Sequence, residues 1–270
     1  MYSTLFLLSA LAEPKLQRRT VYSETLQKKM HISTITENIS HSEFGYAVIL
    51  MLHGLGDDDL GFRGNMGYFE QSSIPLMIIL PEGERGYWAD GSMGNYASWA
   101  LEAFVLERER LGLSKEPCRT AVVGLSMGGF GALNIGLTNP HIFDHIVSMS
   151  PPDLEVAVES MPEKGPMRDL YTNVWGDPID MNKIIKINPY RRLKAGDGEN
   201  QHVMVVVGDR EPEKFTVGVE RITNVAHQKD LNYELRIVPN AGHRWHPTWG
   251  EFTTMWWIEG LTNKIQEQCP

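Results

Sequence analysis

The sequence predicts an α/β fold: a mostly parallel, twisted sheet with an antiparallel hairpin at its N-terminal end and helices on both faces. Three observations carry that expectation. Compact apolar runs recur at residues 47–52, 76–80, 120–123, 145–149, 203–207 and 233–238, and runs that are short and continuous rather than alternating fit strands covered on both sides. Longer amphipathic stretches separate them, at 96–111, from Met127 to the helix-stopping Pro140, at 213–231 and at 249–265, which makes right-handed βαβ units the natural connection. Residues 18–36 alternate instead, with Val21, Met30, Ile32 and Thr34 at β-type positions around a polar turn at 24–29, the pattern of a hairpin.

Within these elements, the 96–111 helix places Ala100, Leu101, Phe104 and Val105 on its inner face and Glu107, Arg108 and Arg110 largely opposite, while Phe252, Trp256 and Trp257 are the packing residues of the last helix. Residues 151–195 contain Pro151, Pro152, Pro162, Pro166, Pro178 and Pro189, so an irregular excursion between two strands is expected there, at the sheet edge where insertions shape ligand sites. The whole is read as a single domain over 18–266, preceded by an N-terminal segment, 1–17. A length of 270 residues suits one such α/β domain.

Composition narrows the partners. Charged residues make up 22% and apolar ones 42%, enough for a large core and no signature of disorder. With 25 Lys+Arg against 34 Asp+Glu the net charge is −9, which repels phosphate backbones and argues against nucleic acid as a partner. No run approaches the roughly 20 apolar residues a membrane span requires. Cys118 and Cys269, the chain's 2 cysteines, stand in no metal-binding spacing and encode neither a disulfide framework nor a zinc site. Residues 5–11 (LFLLSAL) with Ala12 have the small-x-small end of a cleavage site but lack a basic start. A cytoplasmic protein is expected, with secretion or a periplasmic location the alternative if residues 1–12 act as a signal; oligomeric state stays open, a homodimer being one option.

The chemistry concentrates in Gly124-Leu125-Ser126-Met127-Gly128, a G-x-S-x-G between a short apolar strand and a Gly- and Ala-rich helix. That context exposes a serine on a sharp strand-to-helix turn, and side chains two residues before or after it would collide. The Met127 amide, unpaired at the helix start, is one half of an oxyanion hole. The other half is expected from the turn after the 47–52 strand, His53-Gly54-Leu55-Gly56, with Leu55 as donor and His53 structural. Asp57, Asp58 and Asp59 read as a solvated loop rather than a cation site.

Both partners of the serine should follow it in the chain, acid before histidine. After the 203–207 strand comes Gly208-Asp209-Arg210-Glu211-Pro212. Glu211, three residues past the glycine and before Pro212, is placed to turn back toward the sheet edge; Asp209, the commoner residue type for the role, competes. After the last strand, His243 follows Gly242, whose freedom lets the ring swing over Ser126, whereas His246 lies among Trp245, Pro247 and Trp249 and reads as packing. A Ser126, His243, Glu211 triad hydrolyses a small-molecule ester through an acyl-enzyme, with no metal and no organic cofactor.

These residues resemble the esterase D, S-formylglutathione hydrolase and feruloyl esterase-like family of the α/β hydrolases, over about residues 18–261. The resemblance lies in VYSETLQKKMHIS, LHGLGDD, LPEGERGYW, GLSMGGFGALNIGLTNPHIF and PNAGHRW. It implies an α/β-hydrolase fold, Ser126 as nucleophile, His243 as base, and Leu55 and Met127 as oxyanion donors. Most similar proteins carry Asp where this chain has Glu211; mycolyltransferases are similar in using Glu. Tyr87, Trp88 and Tyr96 fall in the loop that lines the pocket mouth in similar enzymes. The resemblance implies a carboxylesterase for small or short-acyl esters, aryl and feruloyl esters among them, with acyl transfer, thioester hydrolysis and a non-catalytic binding module as alternatives.

Overall fold

In a computed structural model, described over residues 12–38, 46–65, 72, 74–243 and 247–269, with backbone alone for 12–14, 37, 38, 65 and 247–257, the apolar runs become the middle of one sheet. The strands are β1 (Ala12–Ser23), β2 (Lys28–Asn38), β3 (Ala47–Leu52), β4 (Leu76–Pro81), the two-residue pair β5 (Asp90–Gly91) and β6 (Gly94–Asn95), β7 (Thr120–Leu125), β8 (His145–Met149), β9 (His202–Gly208) and β10 (Tyr233–Val238). Among the described residues the main sheet has eight strands in the order β1-β2-β4-β3-β7-β8-β9-β10. β1 pairs antiparallel with β2 and β2 with β4, and every later pairing is parallel. The hairpin reaches back to Ala12, six residues before Arg18, because the β1 register continues past Gln17↔Thr34 to Lys15↔Thr36 and Ala12↔Asn38.

The helices are α1 (Tyr96–Arg110), α2 (Met127–Thr138), α3 (Leu154–Ser160), α4 (Pro166–Trp175), α5 (Met181–Ile187), α6 (Pro189–Ala195), α7 (Glu213–Gln228) and α8 (Pro247–Gln268). Alternate residues of each central strand serve opposite cores: Val48, Leu50 and Leu52 pack with Trp99, Phe104 and Phe130 of α1 and α2, while Ala47, Ile49 and Met51 pack with Ile258, Leu261 and Ile265 of α8. Helices on both faces explain why these strands read as unbroken apolar runs.

Four expectations are corrected. The 151–195 excursion is helical rather than irregular, carrying α3 to α6. Two of its six prolines, Pro166 and Pro189, stand in helix first turns, where the missing N–H costs nothing, and the side chains of Asp153, Asp180 and Asn188 cap three of the four helices. In α1, Glu107 and Arg108 are buried together with Tyr96, Trp99, Ala100, Ala103 and Phe104; Glu107 receives Arg19 of the hairpin and Arg110, so its charge is paired inside. Cys118 and Cys269 form a disulfide across a separation of 151 residues, because the end of α8 packs on the turn that leads into β7. Asp59 is not solvated: its buried carboxylate takes Arg18 Nε at 2.8 Å and Ser33 Oγ at 2.7 Å, tying the hairpin to the loop after β3. Residues 5–11, His41, Trp245 and His246, like the side chains of Trp249, Phe252, Trp256 and Trp257, lie outside the described residues.

Candidate active site

Five parallel strands deliver their carboxyl ends to one edge, and the turns that leave them carry Gly54 and Leu55 after β3, Ser126 after β7, Ser150 after β8, Glu211 after β9 and His243 after β10. Ser126 has φ 55° and ψ −115°, a conformation an L-residue holds only under constraint from its surroundings. The constraint is steric on both sides. A Cβ on Gly124 would lie 2.1 Å from the Gly128 carbonyl oxygen, and one on Gly128 would lie 2.0 Å from that of Leu52. Only glycines let the turn pass this close, so the hydroxyl stands clear of the sheet.

Ser126 Oγ lies 2.8 Å from His243 Nε2, and His243 Nδ1 lies 2.7 Å from Glu211 Oε2. Nδ1–H donating to the carboxylate leaves Nε2 as the acceptor for the serine proton. The Glu211 side chain is fully buried and also accepts from Ser150 Oγ at 2.5 Å. Asp209, the competing acid, is exposed. The loops that hold acid and histidine are laced together: Arg210 N–H donates to Ala241 O at 2.9 Å, Asp209 N–H to Val238 O at 3.1 Å, and Arg210 Nη2 to Asn240 Oδ1 at 2.5 Å.

Two residues that sequence reading missed complete this arrangement. Phe215, in the first turn of α7, stacks on the His243 ring with centroids 3.8 Å apart and planes 17° from parallel. Ser150 adopts φ 48° while its N–H is tied to Val206 O at 2.8 Å. A polar residue directly after a strand that neighbours the elbow was the available signal for Ser150; nothing local marks Phe215.

The Met127 amide opens α2, where no intrahelical acceptor exists, and among the described residues the Leu55 N–H donates to no backbone carbonyl. His53 is structural, as its position suggested: Nδ1 lies 2.9 Å from Gly54 O, Nε2 accepts from Gly83 N–H at 2.8 Å, and the Trp88 ring meets it edge-on. These bonds hold the Gly54-Leu55 turn beside Ser126.

A cleft of about 300 Å³ opens over Ser126 and His243, walled by Leu55, Tyr87, Tyr171 and Phe215 among others. Burial pushes the Tyr87 phenol up to about 12 and the Tyr171 phenol well above its usual value, so both offer neutral hydroxyls. Of the three aromatics expected at the pocket mouth, Tyr87 alone lines the cleft. Trp88 is wholly buried, its Nε1 donating to His53 O at 3.1 Å, and Tyr96 is 1% exposed with its hydroxyl on Lys28 and Glu84. The loop turns both rings inward, using positive φ at Tyr87 and Trp88. Away from the cleft, the carboxylates of Asp58, Asp59 and Glu82 converge, but the Arg18 guanidinium already occupies Asp59 and leaves the trio poorly suited to a metal.

Residues 23–267 match the model of a protein family described as "Putative esterase". The chain belongs to this esterase family. Solved structures similar to this esterase include the fluorophosphonate-binding serine hydrolase F of Staphylococcus aureus in substrate-bound form, at 16% identity and TM-score 0.75 over 94% of this chain and 99% of that one. An S-formylglutathione hydrolase of the same organism shares 15% identity with TM-score 0.71, over 94% and 100% of the two chains. A ferulic acid esterase shares 15% with TM-score 0.73, over 93% and 99%. At such identities the likeness speaks for the α/β-hydrolase fold. No curated protein matches the esterase in sequence. Family membership makes the chain a serine ester hydrolase, and no helix of its described residues is long and apolar enough to cross a membrane.

Proposed function

We propose that the esterase hydrolyses small, short-acyl carboxylic esters through a covalent intermediate on Ser126. The observation that carries this reading is the unbroken hydrogen-bonded chain from Ser126 Oγ through His243 to buried Glu211, at 2.8 and 2.7 Å, at the foot of the cleft. In the proposed cycle His243 Nε2 takes the serine proton as Oγ attacks the carbonyl carbon. The amides of Leu55 and Met127 receive the charge that develops on the carbonyl oxygen. Glu211 holds the ring tautomer and offsets the imidazolium charge, and the imidazolium returns its proton to the departing alcohol. Water, deprotonated by the same nitrogen, then releases the acid and restores Ser126.

The size of the cleft supports a short acyl group, since about 300 Å³ is at the small end for ligand sites. The test is a series of p-nitrophenyl esters of increasing chain length beside methyl ferulate and S-formylglutathione. The expected kcat/KM is highest for acetyl to butyryl esters and falls beyond them; a maximum at long chains, on the thioester or on methyl ferulate would replace this substrate class.

A further inference from the structure

We propose that the cleft over Ser126 selects esters bearing a carboxylate, which the ammonium of Lys214 receives; this deepens the serine esterase reading and rests on it. Among the described lining residues the walls are neutral, made of Leu55, Pro152, Met167 and the rings of Tyr87, Tyr171 and Phe215, and Lys214 supplies the one permanent charge. Lys214 forms no ion pair among the described residues; its Nζ sits 5.2 Å from the centroid of the Phe215 ring, which stacks on His243 with centroids 3.8 Å apart. Phe215 thus touches both the cation and the imidazole, which puts the ammonium within reach of a charged end a few bonds from the scissile carbonyl.

Its location is locally unfavourable. Lys214 is the second residue of α7, where the positive end of the helix dipole disfavours a cation, and among the described residues no carboxylate within salt-bridge distance offsets it there; Glu213 beside it is exposed and does not line the cleft. A charge placed against local preference with no anionic partner among the described residues is the kind of exception that function accounts for. An incoming carboxylate would find the ammonium and the helix end together, in a protein whose net charge of −9 otherwise repels anions.

Two matched pairs of esters test this, followed by pH-stat at low salt. Monoethyl adipate against ethyl hexanoate puts the charge on the acyl chain, and 4-acetoxybutyrate against butyl acetate puts it on the leaving group; p-nitrophenyl acetate reports the serine chemistry alone. The expected anionic-to-neutral ratio of kcat/KM exceeds one in one of the pairs by roughly threefold to tenfold and shrinks as salt is added. Lys214→Gln brings that ratio to about one, Lys214→Arg keeps it, and Lys214→Glu inverts it. A ratio that Lys214→Gln leaves unmoved, or a wild type that cleaves p-nitrophenyl acetate with no anionic preference in either pair, overturns the proposal. Failure on p-nitrophenyl acetate as well removes the esterase reading itself and this proposal with it.

Discussion

Phe215 lies almost flat against His243, with ring centroids 3.8 Å apart, and Glu211 holds the same ring through Nδ1. One contact fixes the face of the imidazole and the other its rotation. A ring held both ways has little rotational freedom to lose when it takes the serine proton. Phe215→Ala should therefore lower kcat by about tenfold with a smaller change in KM. Steady-state kinetics on p-nitrophenyl butyrate check this, and an unchanged kcat would reduce the stack to simple packing.

The acid is tested by an ordering. Glu211→Gln keeps shape but removes the charge that favours the productive tautomer, so kcat should fall on the order of 10²- to 10⁴-fold. Asp209→Asn, at an exposed site, should cost less than about tenfold. Ser150→Ala, which withdraws one donor from the buried carboxylate, should fall between them. A severe Asp209→Asn defect beside a mild Glu211→Gln one would reassign the acid.

At the opposite edge of the sheet, His145 and His202 pair across β8 and β9, both buried. Burial, helped by His202, lowers His145 from 6.5 to about 4, and burial lowers His202 too. A histidine whose folded pKa is depressed is neutral in the fold while the unfolded chain takes up a proton, so stability falls as pH drops from about 6.5 toward about 4. Between pH 7 and pH 5 the His145 contribution is on the order of 2 kcal/mol. His145→Asn should show a smaller loss of urea stability over that interval than the wild type; an equal loss contradicts the assignment.

The bond between Cys118 and Cys269 closes a loop of 151 residues and pins the end of α8. Removing it, by reductant or by Cys269→Ser, should lower stability by about 2 to 4 kcal/mol, read as a drop in Tm. The Tm of Cys269→Ser should then be insensitive to reductant, and a wild type equally insensitive would contradict a structural role.

What could be read in advance followed from local physics. The elbow was visible because close backbone approach demands Gly124 and Gly128, and the sheet because strands covered on both faces need continuous apolar runs. Glu211 and His243 were reachable because each lies a fixed few residues beyond a strand end, although only the folded loops bury one carboxylate and expose Asp209. Contacts between distant elements left no local mark: Phe215 on His243, Ser150 on Glu211, Cys118 with Cys269. The short helices α3 to α6 escaped because seven to ten residues give too little periodicity, and Pro166 and Pro189 read as breakers when they are starters. Trp88 and Tyr96 were expected at the pocket mouth, and only the loop's positive-φ residues turn that stretch inward.

The most direct test of the account is the site of covalent capture. The esterase is treated with a fluorophosphonate, which phosphonylates an activated serine, and the modified peptide is located by mass spectrometry, with p-nitrophenyl butyrate hydrolysis followed in parallel. The account predicts one adduct, on Ser126, loss of activity in step with its formation, and a folded Ser126→Ala protein that takes no label and has lost about 10⁴-fold or more in kcat. An adduct on another serine, or near-normal turnover by a folded Ser126→Ala protein, would contradict it.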